Sequence, residues 1–157
     1  MTRRFTGWFS RGGLRPHPEL DRVGRPMVNL VVAFGQRREQ VPFMIDTGAD
    51  FTIVAPRRTR ELFGTEIDYG AVLPSRRLPI AGVGPGTVDT IIQRVGLLMT
   101  DDEEAVLRFP QAMLFAIPQP DVAGRWQVPS VLGRDVLSRF ELRLSYDPPT
   151  VSLILND

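Results

Sequence analysis

The chain has no cysteine, no lysine and a single histidine. The first absence excludes thiol catalysis, disulfides and cysteine zinc sites. The second excludes Schiff-base chemistry on a lysine, because all 19 basic side chains are arginines. The third excludes a histidine-based triad or a multi-histidine metal site within one chain. His17 lies in a Pro- and Arg-rich stretch and reads as a solvated tail residue. No run approaches the roughly 20 apolar residues that a membrane helix needs. Arg3 and Arg4 are not followed by the apolar core of a secretory signal. A cytoplasmic protein with no membrane partner is therefore expected. The net charge is +1 and the arginines are scattered among acids, so no nucleic-acid partner is expected either.

What remains is one domain's worth of chain. The 157 residues are 43% hydrophobic, enough for one packed core. Residues 1–26 hold six arginines, several glycines and Pro16, Pro18 and Pro26, without helical or strand periodicity. They read as a flexible or loosely docked arm, with Phe5, Trp8 and Phe9 as side chains able to dock. Residues 27–157 form the folded domain. Its short runs of β-branched and aromatic residues are separated by Gly/Pro turns, which predicts an all-β fold, a closed or partly closed barrel. Strands are expected over 27–34, 40–45, 51–54, 77–80, 87–99, 105–115 (interrupted by Pro110), 141–146 and 150–155. Pro56–Phe63 is expected to hold a short helical turn. Val136, Leu137 and Phe140 have helix-like spacing, which predicts a short helix over 134–140.

Two segments carry chemistry. In Phe43-Met44-Ile45-Asp46-Thr47-Gly48-Ala49-Asp50, followed by Phe51-Thr52-Ile53-Val54, an acid stands on a Gly-containing turn between two apolar runs. An Asp on such a turn is also a plain Asx turn, bonding its own backbone. An unpaired carboxylate buried between apolar strands is costly, however. The second segment is Val131-Leu132-Gly133-Arg134-Asp135-Val136-Leu137. A third stretch, Pro79-Ile80-Ala81-Gly82-Val83-Gly84-Pro85-Gly86, lacks the Lys and the following helix of a phosphate loop and reads as a hairpin tip.

Together these segments resemble the retropepsin family, the retroviral-type aspartic proteases, over roughly 27–155. The first is similar to the family's Asp-Thr-Gly-Ala-Asp loop and the second to its hydrophobic-hydrophobic-Gly-Arg-Asp signature. The resemblance implies a retropepsin-like barrel with one short helix, and Asp46 as the catalytic residue. It implies a homodimer, since one chain offers one Asp-Thr-Gly, and two Asp46 carboxylates that share a proton across the two-fold axis. Thr47, Gly48 and Ala49 would support the site, with the Thr47 hydroxyl reaching the opposite loop. Asp50 and Arg134 would pair and hold the loop. Ala81, Gly82, Val83, Gly84, Pro85 and Gly86 would form a flap over bound peptide, although an ordinary hairpin turn remains open for them. The implied activity is endopeptidase action on a peptide or protein substrate, with no metal and no cofactor. The alternative is a non-proteolytic dimerisation or peptide-binding module on the same fold.

Overall fold

The computed structural model describes residues 2–11, 24–64, 67–81, 87–118 and 129–156. Ten strands run through them: β1 Thr2–Ser10, β2 Arg25–Phe34, β3 Arg37–Ile45, β4 Ile53–Val54, β5 Leu78–Ala81, β6 Thr87–Thr100, β7 Val106–Ala116, β8 Val131–Leu132, β9 Glu141–Tyr146 and β10 Pro149–Asn156. They form one sheet in the order β5-β6-β7-β4-β8-β3-β2-β1-β10-β9. An extra pairing of β2 with β6, Ala33 opposite Gly96, bends the middle of the sheet into a ring. The fold is thus all-β and a partly closed barrel, as the turn-punctuated pattern predicts.

Alternation builds the core. Val28, Leu30 and Val32 of β2, Val41, Phe43 and Ile45 of β3, and Val95, Leu97 and Met99 of β6 are all buried, while their neighbours face outward. Helix α1, Pro56–Phe63, starts on Pro56, whose missing N–H costs nothing at a helix start. At eight residues it is too short to hold by propensity alone. Its buried Leu62 and Phe63 anchor it, with the Phe63 ring 4.9 Å from Phe115 and 5.0 Å from Phe34. Burying a side chain of this size is worth about 1.5–3 kcal/mol. Helix α2, Arg134–Leu137, is a single turn that buries Val136 and Leu137.

Two expectations need more than a shift of bounds. The arm expected over 1–26 is not an arm at its described ends. Thr2–Ser10 is strand β1, paired antiparallel with β10 through Phe5 opposite Leu153 and with β2 through Trp8 opposite Met27, and Arg25 opens β2. Residues 12–23 lie outside the described residues. Phe5 is 1% exposed, so the arginines around it conceal a strand that is buried on one side. Strand β7 runs straight through Pro110. There β7 is paired with β6 alone, β4 joining only at Leu114 and Phe115, and an edge tolerates the missing N–H. The two arms of the third motif are β5 and β6, but Gly82, Val83, Gly84, Pro85 and Gly86 lie outside the described residues, as does most of the loop over 116–129. Among the described residues no helix is long and apolar enough to cross a membrane.

Candidate active site

Asp46 follows the last residue of β3, where that strand lies parallel to β8. Two bonds set this junction: Met44 N–H donates to Ser130 O (2.9 Å) and Asp46 N–H donates to Leu132 O (3.1 Å). The chain then turns. Ala49 N–H donates to Asp46 O (3.2 Å) and Gly48 N–H donates to Asp46 Oδ1 (2.9 Å). This is an Asx turn, so that reading of the motif is correct locally. A Cβ at Gly48 would stand 3.2 Å from Asp46 Oδ1, so a side chain there crowds the carboxylate. Asp46 is half-buried in the single chain, less enclosed than its apolar flanks suggest, because the turn lifts it to the surface. Thr47 is exposed, and among the described residues its hydroxyl has no partner.

The loop is braced from α2. Arg134 N–H donates to Ala49 O (2.9 Å) and Asp135 N–H to Asp50 O (3.3 Å). The Arg134 guanidinium contacts the Asp50 carboxylate, with both side chains largely exposed. The structure therefore brings together Asp46, Thr47, Gly48, Ala49, Asp50 and Arg134. Ala81, the described member of the expected flap, stands at the rim of the same cavity.

Sequence reasoning missed the support beneath. Thr52 is fully buried; its Oγ1 donates to Asp135 Oδ1 (2.7 Å) and accepts from Gly133 N–H (3.0 Å). Asp135 Oδ1 also accepts from Val136 N–H (3.0 Å). Gly133 passes so close to the loop that a Cβ would lie 2.5 Å from the Phe51 carbonyl carbon and 2.6 Å from its oxygen. Ser130, also buried, accepts from Ala55 N–H at 2.9 Å. The available signal was the third residue of Gly-Arg-Asp, a carboxylate next to an apolar turn that needed a donor. A Thr within a β-branched run signals only a strand.

Asp46 and Asp50 line an open cavity of about 740 Å³. Phe51 (57% exposed), Ile53, Ile80 and Leu114 supply its apolar wall. This is room for several peptide residues, with a carboxylate at one side. No group of three or more His, Cys, Asp or Glu able to hold a metal occurs among the described residues.

No protein-family model matches the chain, and no curated protein matches it. Among solved structures it is similar to the EIAV protease complexed with an inhibitor, at 20% identity over 73% of this chain and 86% of that one, with a TM-score of 0.41. It is also similar to conglutin gamma, a basic 7S globulin from lupine seeds, at 13% identity over 99% of this chain and 49% of that one (TM-score 0.50). The basic 7S globulin from soybean matches at 12% identity over 99% and 50%, with a TM-score of 0.51. The chain spans about half the length of either globulin. At these identities the likeness to the globulins is one of fold.

Proposed function

We propose that the chain is a retropepsin-like aspartic endopeptidase that works as a homodimer, with Asp46 of each protomer at the two-fold axis. The observation that carries this reading is Asp46 on its Asx turn, lining an open cavity beside an apolar wall. One carboxylate cannot be base and acid in the same step. Two in contact cannot both ionise readily, so the pair holds one proton between them. The ionised member takes a proton from a bound water as that water attacks the peptide carbonyl carbon. The protonated member donates to the carbonyl oxygen. The resulting diol collapses with a proton delivered to the leaving nitrogen, and no covalent enzyme intermediate forms. In this reading the Thr47 hydroxyl bonds to the opposite loop across the axis. Asp50 and Arg134 hold the loop to α2 through a guanidinium–carboxylate contact. Ala81 lines the same cavity and bounds the substrate groove on the β5 side.

A second reading, a dimerisation or peptide-binding module, has one observation in its favour. The Gly48 N–H bond alone gives Asp46 a structural use. Cleavage of a peptide library, read by mass spectrometry at several pH values beside Asp46→Asn, separates the two. Cuts present in the wild type and lost in the variant support the peptidase. No cuts at concentrations that force association support the module.

A further inference from the structure

The barrel has a second concavity, of about 570 Å³, on its outer face. Its floor is made where β2 meets β6, by Ala33 opposite Gly96. Small residues there leave a dent, and the Arg108 side chain lies across it: a Cβ on Gly96 would stand 3.6 Å from Arg108 Nε. Arg94 is on the rim, and Arg38 stands opposite Ala33 in the β2–β3 register, so all three share the outward face. The three guanidinium groups have no ion-pair partner among the described residues. Over 29–34 of β2, 37–42 of β3, 92–100 of β6 and 106–114 of β7, the outward positions carry these arginines and no aspartate or glutamate. The one acid on these stretches, Glu39, points the other way, toward Arg58. Elsewhere Arg3, Arg57, Arg58, Arg77, Arg134 and Arg143 are in ion pairs.

This face is continuous with the candidate active site. Leu114, in the wall of the Asp46 cavity, is on the same outward side of β7 as Arg108, six positions away, which is about 20 Å along a strand. Beside Leu114 its partner Ile92 is 59% exposed, and Arg94 follows two positions on toward Arg108. The geometry points to an exosite: the Arg38–Arg94–Arg108 face binds an acidic segment of a polypeptide whose other part lies in the Asp46 cavity. By strand length the acidic residues lie about two to six positions from those in the cavity. Charge complementarity selects carboxylates. The net charge of +1 gives no whole-molecule attraction for a long polyphosphate. This inference names the substrate class of the peptidase reading and rests on it, but its test does not require cleavage.

The test is fluorescence anisotropy with a labelled hexaglutamate peptide, using the full chain and its Asp46→Asn form. Arg94→Gln/Arg108→Gln is compared with Arg57→Gln/Arg60→Gln, which removes the same charge from the exposed side of α1. The site variant is expected to weaken binding by about tenfold and the control by less than about twofold. Raising the ionic strength weakens the wild type toward the site variant. Equal losses in both variants would overturn the exosite, as would absent binding. So would tighter binding of a single-stranded oligonucleotide of equal charge that is lost in the same variant. Acidic-peptide binding retained in a chain that cuts nothing would count against the peptidase alone.

Discussion

Thr52→Val changes one atom type in a side chain with no solvent exposure. The hydroxyl it removes accepts from Gly133 N–H at 3.0 Å and donates to Asp135 Oδ1 at 2.7 Å. The first loss leaves a buried donor unsatisfied, which costs about 1–3 kcal/mol. The second removes a bond to a carboxylate, worth about 1.5–3 kcal/mol. The lower end applies to the second, because Asp135 is half-buried and keeps Val136 N–H. The new methyl group returns about 0.8 kcal/mol of burial. A net loss of about 2–4 kcal/mol follows. With a urea slope near 2 kcal/mol/M, the unfolding midpoint falls by about 1–2 M at unchanged slope. Thr52→Ser keeps both bonds and loses only a methyl, so it falls by about 1 kcal/mol. If Thr52→Val unfolds at or above the Thr52→Ser midpoint, the hydroxyl is not what couples the Asp46 loop to Gly133 and Asp135, and the reasoning fails.

Three further outcomes are expected. Gly133→Ala places a Cβ 2.5 Å from the Phe51 backbone, so either the loop moves or the core opens, at about 1–3 kcal/mol, with cleavage lost more than stability; a fully active, wild-type-stable variant would contradict the packing. Arg134→Ala breaks a largely exposed pair, so denaturation should show a loss below about 1 kcal/mol while activity drops further; equal stability and equal activity would remove the bracing role. Burial alone would raise the Asp101 carboxyl, but the bond from Arg3 and the N–H groups of Ala105 and Glu103 hold it below its ordinary value of 3.8. A depressed folded-state pKa contributes stability that is present above 3.8 and lost as pH falls through the folded value. Arg3→Gln should therefore lose stability at neutral pH and show a shallower acid transition below that point. An unchanged acid profile would detach Asp101 from strand β1.

The Asp46 loop was legible because its chemistry is local. The acid, the turn glycine and the apolar flanks are contiguous, and their bonds span two or three residues. Strand β1 was not, because Phe5, Trp8 and Phe9 are not spaced by two and stand in a 26-residue stretch with six arginines and three prolines, and its main partner β10 lies at the other end of the chain. Thr52 and Asp135 stand 83 positions apart, and nothing in either segment names the other. The same holds for Arg38, Arg94 and Arg108, which look scattered until the β2–β3, β2–β6 and β6–β7 registers put them on one face. The ring closure that does this is a non-local pairing, and periodicity shows only which residues of one strand share a side.

The most direct test of paired Asp46 carboxylates is subunit poisoning. Wild-type chain is mixed with Asp46→Asn chain at fixed total concentration, and peptide cleavage is followed as the fraction changes. If each site needs Asp46 from both protomers, activity falls as the square of the wild-type fraction, to about a quarter in an equal mixture with random association. Activity that falls only in proportion to the wild-type fraction would mean that one chain carries a complete site, and would contradict the account.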